Sequence, residues 1–262
     1  KKNRNFFLFA LLLLYNSVEL RGNMNTVYLE RVESTNLFAK SNLHDLADCT
    51  VVHAKEQTAG HGRMQRKWVD LGEGNLFMSF VLKPSNSFNE VYSNLTQYLS
   101  VVLCDLLDEF GVSAEIKWPN DVQVNGKKLA GILSETVMKG HEFKGLVLGI
   151  GVNLNAEKSA VEAIPDKAVT SLNLETGSYI NLDDFRCRLT DSFFAGYKEF
   201  LNTGFPMIKE KYVRRACFLN REITVKVFND DKKGVAKSIT EKGELILANN
   251  NKEFVLTIGD IL

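Results

Sequence analysis

The sequence predicts an α+β protein in which a mixed domain of strands and helices is followed by a small all-β domain. Three observations lead to this prediction. Residues 90–110 and 183–202 repeat apolar side chains at helical spacing. Short β-rich runs are interspersed with the helical segments. After residue 220, strand-like runs follow one another about ten residues apart, with turn-forming residues between them.

The mixed domain begins with a strand at 26–29 and a short helix. Residues 35–46 predict this helix, with Ser34 or Thr35 as its N-cap. The leucines near one of its faces are Leu37, Leu43 and Leu46. The later runs predicted as strands are 50–54, 75–82, 114–118, 122–124, 129–137 and 145–154.

Three positions in this domain predict breaks in regular structure. Gly111 ends the helix at 90–110. Pro119 has no N–H to donate and keeps Trp118 extended, so the strand stops there. Asn125-Gly126 is the strongest two-residue hairpin signal in the chain.

The C-terminal domain is predicted from four short runs and the turns between them. The runs are 223–228, 235–240, 245–248 and 254–258, and the turns are 229–231, 242–243 and 249–251. This spacing indicates a small barrel or a sandwich. Because no repeat or low-complexity linker precedes these runs, we expect the two domains to pack against each other.

Composition and charge exclude several classes of protein. Hydrophobic residues make up 45% and charged residues 24%, a globular mixture that excludes general disorder. Lys and Arg total 32, as do Asp and Glu, so the chain lacks the basic excess of a dedicated nucleic-acid binder. The four cysteines and four histidines show no metal-ligand spacing, so reduced thiols in the cytoplasm are expected and a zinc site is not.

The N-terminus resembles a signal peptide only in part. Lysines and an arginine precede a nine-residue apolar run at 6–14, but 15–22 has no convincing cleavage site. The run is also far short of the ~20 residues that a membrane-spanning helix needs. We therefore expect Met24 to be the natural start and residues 1–23 to be a non-essential extension. A signal or anchor, or an extra helix, is the alternative.

A segment rich in glycine and cations, 57–68, follows a predicted strand. Glycine lets backbone amides approach an anion closely, and Arg63 and Arg66 offer paired donors to carboxylate or phosphate. Gln65 stands where a dinucleotide-binding fingerprint needs its third glycine, so that fingerprint is excluded. The alternative is a solvated basic hairpin.

The segment 117–121 (Lys-Trp-Pro-Asn-Asp) places an amide and a carboxylate at the end of a predicted strand. Asn120 and Asp121 follow a rigid proline there. This suits a magnesium-nucleotide contact, because Mg²⁺ takes one or two carboxylates together with phosphates. An ordinary Asx turn is the alternative.

Two adjacent lysines open the next strand. Because successive side chains point to opposite faces of a strand, Lys128, Ala130 and Ile132 should face one side of the sheet. Lys127, Leu129 and Gly131 should face the other side. At most one lysine can therefore belong to a site, and two solvated hairpin lysines are the alternative.

Two glycines interrupt an apolar strand in 149–155 (Gly-Ile-Gly-Val-Asn-Leu-Asn). Glycine weakens a strand interior, so something must approach Gly149 and Gly151 closely. A flat ligand ring or a neighbouring backbone would explain this, and tight packing within the sheet is the alternative. The sequence has no P-loop and no nucleophile elbow, so an activated nucleophile on the enzyme is not predicted.

Taken in order, these segments resemble the biotin protein ligases, from near Thr26 to the C-terminus. The matching motifs are Ser34-Thr35-Asn36, the Gly/Arg-rich loop 57–68, K-W-P-N-D at 117–121, K-L-A-G-I-L at 128–133 and G-x-G-x-N at 149–153. The resemblance implies a catalytic domain related to class II aminoacyl-tRNA synthetases, with a mixed sheet, at 24–218. It also implies an SH3-like β-barrel at 219–262.

The same resemblance implies a two-step reaction. ATP converts biotin to biotinyl-5′-AMP, and a lysine of a biotin carboxyl carrier domain then attacks the mixed anhydride. ATP and Mg²⁺ are cosubstrates, biotin is the substrate, and no tightly bound prosthetic group is needed. The expected protein is a cytoplasmic monomer or homodimer that has neither a nucleic-acid nor a membrane partner.

Each motif carries an implied role. The residues expected to bind biotin are Ser34, Thr35, Asn36, Gln57, His61, Gly62, Arg63, Lys128, Gly131 and Gly151, of which Arg63 and Lys128 are catalytic. The residues expected to bind ATP are Arg66, Trp68, Lys117, Asn120, Asp121 and Asn153, with Asp121 also a magnesium ligand. Fixed cations and amides suit both steps, because negative charge develops on phosphate or acyl oxygens.

The sequence departs from the family pattern in two places. His61 replaces the first arginine of the G-R-G-R loop, and Met64-Gln65 replaces the following R-G. Since His61 is charged only when protonated, we expect closure of this loop to be weaker or pH-dependent. Ala168 directly precedes the segment Val169-Thr170-Ser171-Leu172, at the place where some members have a tryptophan that stacks on adenine.

Two alternatives to a biotin ligase remain. A lipoate or octanoate transferase of the same fold typically has an R-R-x-x-G-G-G run, which this sequence lacks. A biotin- or nucleotide-binding regulator without turnover would not need Lys128, Arg63 and Asp121. Only 23 residues precede Met24, which is too few for a helix-turn-helix domain, so a DNA-binding repressor is not expected.

Overall fold

The structure is a computed structural model that describes residues 17–21, 24–69, 71–72, 74–85, 87–164, 168–250 and 252–262. The chain divides into two compact units. The first unit comprises Lys1–Phe88 and Ile132–Ala163, and the second comprises Asn89–Gly131 and Ile164–Leu262. This division differs from the predicted boundary at residue 218, which stays a prediction.

The regular elements alternate along the chain as the sequence predicts. The strands are β1 (Ser17–Arg21), β2 (Met24–Val32), β3 (Thr50–Gln57), β4 (Leu76–Leu82), β5 (Glu115–Lys117), β6 (Asp121–Val124), β7 (Lys127–Lys139), β8 (Glu142–Val152), β9 (Glu222–Val227), β10 (Asp230–Ile239), β11 (Leu245–Asn249), β12 (Lys252–Leu256) and β13 (Asp260–Ile261). The helices are α1 (Thr35–Ser41), α2 (Leu95–Asp108), α3 (Lys158–Glu162), α4 (Leu172–Thr176), α5 (Leu182–Thr203) and α6 (Lys209–Arg215). Short 3₁₀ turns lie at Arg63–Gln65, Glu90–Asn94 and Phe205–Met207.

The first unit is built on a sheet with the strand order β1-β2-β3-β4-β8-β7. Strands β2 and β3 are parallel, and α1 lies in the connection between them. Parallel neighbours need such a crossover. Strand β4 is antiparallel to both β3 and β8, and every residue of it is buried.

Helix α1 packs on this sheet through a compact apolar core. Its N-cap is Ser34, one of the two predicted candidates, whose Oγ accepts from the Leu37 amide at 3.4 Å. The core residues are Val27, Leu29, Ala39, Leu43, Leu46, Val52, Ala54, Val81 and Val147.

The helix is shorter than the predicted 35–46. It ends at Ser41, and the Asn42 side chain donates to the Phe38 carbonyl at 2.8 Å, which satisfies one of the last carbonyls. Leu43 is buried in the following turns, whereas Leu37 is 41% exposed. The predicted placement of Leu37 on the same face as the buried leucines is therefore wrong.

Strand β1 was not predicted, because residues 17–21 were assigned to a non-essential extension. Ser17–Arg21 pairs antiparallel with β2, from Ser17 opposite Tyr28 to Arg21 opposite Met24. Backbone pairing of this kind needs no particular side-chain pattern. The apolar run at 6–14 lies outside the described residues.

In the second unit, the two long helices pack on each other around aromatic rings. Helix α5 matches the predicted 183–202 closely, and Asn181 caps it by accepting from the Asp184 amide at 2.9 Å. The Tyr98 ring stacks on Phe200 at a centroid distance of 4.5 Å. Burial raises the pKa of Tyr98 to about 12, and its hydroxyl donates to the Phe193 carbonyl at 2.7 Å.

The helix predicted at 90–110 begins later than expected. A 3₁₀ turn occupies Glu90–Asn94 because the Asn89 side chain accepts from the Val91 amide at 3.0 Å, and α2 follows from Leu95. The helix ends at Asp108, and Gly111 adopts φ +75°, as its predicted role at the end of the helix requires.

Strands β5, β6 and the start of β7 form a meander in the second unit. Asn125 and Gly126 connect β6 to β7 with φ +51° and +76°, which confirms the predicted hairpin. The pairing register of β6 with β7 shifts here, because Val122 lies opposite Ala130 whereas Gln123 lies opposite Lys128. One extra residue on β7 therefore makes a bulge, and the simple side-chain alternation predicted through this strand is wrong.

The C-terminal strands form a five-stranded sheet with the order β12-β11-β10-β9-β13, one strand more than predicted. The turn between β10 and β11 contacts the start of α2. Gln97 Nε2 donates to the Gly243 carbonyl at 2.8 Å, and Asn94 Nδ2 donates to the Lys242 carbonyl at 2.9 Å. This turn of the sheet therefore packs against α2. None of the helices in the described part of the chain combines the length and hydropathy needed to span a membrane.

Candidate functional site

A cluster of buried polar side chains lies in the first unit, where α1 begins beside β3 and β4. The Thr35 amide and hydroxyl both donate to Gln57 Oε1, at 2.7 and 3.1 Å. Ser79 Oγ lies 2.8 Å from Thr35 Oγ1 and 2.7 Å from Asn36 Oδ1. Three of the predicted biotin-binding residues therefore form one network, and Ser79 joins them.

Local structure explains why this cluster forms. With Ser34 as N-cap, Thr35 and Asn36 occupy the first turn of α1 and lie over the sheet. Ser34 is also buried, and its hydroxyl hydrogen can still donate while its oxygen caps the helix. The Gln57 amide nitrogen has no hydrogen-bond partner within the described residues, so it is available to a ligand.

Gly149 of β8 makes room for the Asn36 side chain. A Cβ at Gly149 would lie 2.1 Å from Asn36 Oδ1, so any side chain at this position would displace Asn36. At Gly151, a Cβ would lie 2.8 Å from the Trp68 ring. The close approach predicted at both glycines is confirmed, but side chains make it in this structure rather than a ligand ring or a neighbouring backbone.

The glycine- and cation-rich loop folds into a small closed hairpin. His61 and Lys67 form an isolated antiparallel bridge, and the Gly62 amide donates to the Arg66 carbonyl at 2.7 Å. The Trp68 amide donates to the Gly60 carbonyl at 2.9 Å, and Arg63 begins the 3₁₀ turn at the tip. The backbone is therefore a hairpin, as the alternative interpretation had it, and Trp68 is directed onto β8.

Asn153 follows β8 and is buried. The neighbouring backbone is held by Asn75, whose Oδ1 accepts from the amides of Leu154 and Asn155 at 2.8 and 3.3 Å. The position of Asn153 is therefore fixed by a side chain that the sequence analysis did not select.

Glu135 was also not predicted, although it lies on β7 just after the K-L-A-G-I-L motif. Its carboxylate accepts from Asn36 Nδ2 at 2.9 Å and from Lys40 Nζ at 2.6 Å. His61 Nε2 lies 3.9 Å from the same carboxylate. Glu135 thus contacts residues from both α1 and the loop.

Both missed residues had a signal in the sequence. Ser79 is the only polar residue in the apolar run of β4 and is 0% exposed. A buried hydroxyl in an apolar strand requires a hydrogen-bond partner, so it indicates a polar site. Glu135 is a charged residue in the half-buried part of β7, which requires a compensating partner in the same way.

The second unit contains the remaining predicted residues. Lys117 and Asp121 pair across a tight turn that contains Trp118 and Asn120, and Trp118 is buried in the core. Asp121 also pairs with Gly131 through the backbone of β7. The Lys-Trp-Pro-Asn-Asp segment is therefore a structured hairpin loop that fixes the direction of the Asp121 carboxylate.

Lys128 and Asp121 form an ion pair, with Lys128 Nζ 2.7 Å from Asp121 Oδ1 and side chains 35% and 27% exposed. The Lys128 backbone is held as well, because its amide donates to the Ala168 carbonyl at 2.8 Å and its carbonyl accepts from the Thr170 amide at 2.9 Å. Lys127 is exposed. The two lysines thus differ in environment as predicted, although the bulge means that alternation alone does not explain it.

The described residues contain no group of three or more His, Cys, Asp or Glu side chains that could hold a metal ion. Asp121 supplies one carboxylate, which already pairs with Lys128. One carboxylate fits a magnesium ion that arrives with a nucleotide and keeps phosphates and waters as its other ligands.

The chain is similar to known ligases in both sequence and structure. Residues 28–153 match the model of the biotin/lipoate A/B protein ligase family. The biotin–[acetyl-CoA-carboxylase] ligase of Paracoccus denitrificans is 32% identical over 226 residues, which cover 84% of this chain and 92% of the relative. The bifunctional ligase/repressor BirA of Bacillus subtilis is 29% identical over 230 residues, covering 86% of this chain and 69% of the relative.

Among solved structures, the biotin protein ligase of Aquifex aeolicus in complex with biotin and ATP superposes with a TM-score of 0.75 at 25% identity. The match covers 90% of this chain and 97% of the Aquifex chain. The fold and the sequence therefore define a ligase with a mixed α+β catalytic fold. Within that class, the chain belongs to the biotin protein ligase family.

Proposed function

We propose that this ligase attaches biotin to a specific lysine of a biotin carboxyl carrier domain, using ATP and passing through biotinyl-5′-AMP. The single observation that carries the proposal is the buried network of Thr35, Asn36, Gln57 and Ser79. These side chains offer both donors and acceptors without a net charge. Such a site suits a neutral urea head, which has a carbonyl acceptor and N–H donors.

In the proposed complex, Ser34, Thr35, Asn36 and Gln57 bind the ureido ring, and Ser79 joins them. His61, Gly62 and Arg63 bind the carboxylate end. Gly131 and Gly151 leave room for the ligand. The indole of Trp68 covers Gly151 in this structure, so a ligand at that glycine requires the ring to shift.

The remaining residues are proposed to act on the nucleotide. These residues are Arg66, Trp68, Lys117, Asn120, Asp121 and Asn153. Asp121 is a candidate ligand for the Mg²⁺ that accompanies ATP, because Mg²⁺ in nucleotide sites usually takes one or two carboxylates plus phosphates. When bound, that ion offsets the charge of the phosphates.

Lys128 is proposed to stabilise developing charge in both steps. In the first step, a biotin carboxylate oxygen attacks the α-phosphorus of ATP and the bond to the leaving pyrophosphate breaks. In the second, the amine of the acceptor lysine attacks the acyl carbon and AMP leaves with the C–O electron pair. An ammonium group held in place offsets negative charge in each transition state, and Arg63 supplies a second fixed cation.

The finer architecture is part of the proposal. We assign 24–218 to a catalytic domain of the class II aminoacyl-tRNA synthetase type and 219–262 to an SH3-like barrel. The five-stranded sheet of β9–β13 and its antiparallel pairings support the second assignment.

The acceptor is proposed to be the carrier domain of an acetyl-CoA carboxylase or a related biotin-dependent carboxylase. The relatives from Paracoccus denitrificans and Mycobacterium tuberculosis support this, since both are biotin–[acetyl-CoA-carboxylase] ligases. A cytoplasmic location is part of the proposal.

The experiment that tests the first step is biotin-dependent exchange of pyrophosphate into ATP. We expect exchange with biotin and none with lipoate or octanoate, because the site is built for a hydrogen-bonding head. Exchange with lipoate or octanoate alone would indicate an ATP-dependent lipoate or octanoate ligase of the same fold. Biotin binding without exchange would indicate a regulator.

A further inference from the structure

We propose that Glu135 is a positioning residue for biotin that acts through the side-chain amide of Asn36. This inference rests on the proposed function, in which Asn36 binds the ureido ring. Glu135 lies on β7 with its side chain 21% exposed, and it contacts Asn36, Lys40 and His61. It therefore acts on the substrate only through other residues.

Both N–H groups of the Asn36 amide are directed at β7. Nδ2 donates to Glu135 Oε2 at 2.9 Å and to the Leu133 carbonyl at 3.3 Å. A primary amide has two N–H donors, so these two acceptors use both of them. The amide oxygen is then left facing Ser79 Oγ at 2.7 Å.

The charge of Glu135 favours the orientation in which the Asn36 amide nitrogen faces Glu135. The nitrogen and oxygen of an asparagine amide have nearly the same shape, and only their partners determine which way the group faces. A flipped Asn36 amide would place its oxygen against the Glu135 carboxylate, where two acceptors repel. Glu135 therefore presents the oxygen of Asn36 to the polar cluster, as an acceptor for an N–H of the urea.

The contact between Glu135 and Lys40 is separable from this role. Lys40 Nζ pairs with Oε1, whereas Asn36 donates to Oε2. The Lys40 side chain is 33% exposed, so the ion pair is partly screened and contributes little by itself. Lys40→Met therefore removes a partner of Glu135 while leaving the Asn36 hydrogen bond in place, and serves as the matched control.

The test is a double-mutant cycle on biotin affinity in the full chain, with a thermal melt of every variant. We expect Glu135→Ala to weaken biotin binding by ~10-fold, because hydrogen bonds to charged groups contribute substantially when buried. The KM for ATP should not change. Asn36→Ala should weaken biotin binding at least as much, and the double variant no more than Asn36→Ala alone. Lys40→Met should stay within about twofold of the wild type.

A second pair of variants tests the same idea by charge exchange. Asn36→Asp places a carboxylate against Glu135, so biotin affinity should fall by more than ~10-fold. Adding Glu135→Gln to that variant should restore most of the loss, because a carboxamide at 135 can donate to a carboxylate at 36. A merely structural role for Glu135 would not produce this rescue.

The outcomes separate this inference from the proposed function. A wild-type chain that neither binds biotin nor catalyses exchange would overturn the proposed function itself. A wild type that binds biotin, with Glu135→Ala binding equally well, would overturn the role of Glu135 alone. Losses that multiply in the Asn36→Ala, Glu135→Ala double variant, or no rescue of Asn36→Asp, would also overturn it.

Discussion

Lys128→Ala should reduce biotinyl-5′-AMP formation by ~10²–10³, roughly 2.7–4 kcal/mol in activation free energy, because a preorganised donor at developing charge is lost. The structure supports a fixed position for this lysine. Its ammonium pairs with Asp121 at 2.7 Å, and its backbone forms hydrogen bonds with the backbones of Ala168 and Thr170, on either side of Val169. The measurement is single-turnover formation of the adenylate from biotin and ATP.

Lys127→Ala is the matched control for this prediction. Lys127 has the same chemistry, is one residue away and is exposed. Surface substitutions usually change stability by less than ~0.5 kcal/mol, so this variant should form the adenylate at the wild-type rate. Both variants should melt near the wild type, since the Lys128 ion pair is partly exposed and contributes little to stability. Equal rates for the two variants, or a defect only at Lys127, would contradict the assignment.

Gly149→Ala should disable biotin binding through Asn36. A Cβ at Gly149 would lie 2.1 Å from Asn36 Oδ1 and 2.9 Å from its Nδ2, so the side chain must leave its place. Asn36 would then lose its hydrogen bonds to Ser79 and Glu135. We expect a stability loss of about 1–3 kcal/mol from overpacking. Biotin affinity should fall by ~10-fold to ~100-fold, and every tenfold corresponds to about 1.4 kcal/mol of binding free energy.

The control is the double variant that combines Gly149→Ala with Asn36→Ala. Removing the amide removes the atoms that the new Cβ would meet, so the double variant should regain most of the lost thermal stability without regaining biotin affinity. Calorimetric melts and isothermal titration with biotin measure the two effects separately. If Gly149→Ala alone melts and binds biotin like the wild type, the close contact between β8 and α1 does not exist in solution.

The long helices and the hairpin at Asn125-Gly126 could be predicted because local chemistry determines them. The periodicity of 183–202 and its cap at Asn181 are properties of a continuous segment. The bulge on β7 could not be predicted, because it depends on how β6 pairs with that strand. For the same reason, strand alternation is an incomplete argument for choosing Lys128 over Lys127, and that choice stays a prediction.

The site was predicted in part. The motif residues Thr35, Asn36 and Gln57 do form one hydrogen-bond network, although they lie far apart in the sequence. Ser79 and Glu135 were missed because each is a single polar residue without a motif, and its role depends on neighbours from other elements. The close approach at Gly149 was predicted, but only the fold reveals that Asn36 makes it.

Transfer of biotin to a carrier domain tests the central claim most directly. The full chain is incubated with ATP, Mg²⁺, biotin and a biotin carboxyl carrier domain, and the carrier is analysed by intact-mass and peptide mass spectrometry. The account predicts one biotinyl group on one lysine of the carrier, dependent on ATP and absent when that lysine is replaced by arginine. A parallel reaction also contains lipoate and octanoate. An unmodified carrier in the first reaction, or a lipoyl or octanoyl group on the carrier in the second, would contradict it.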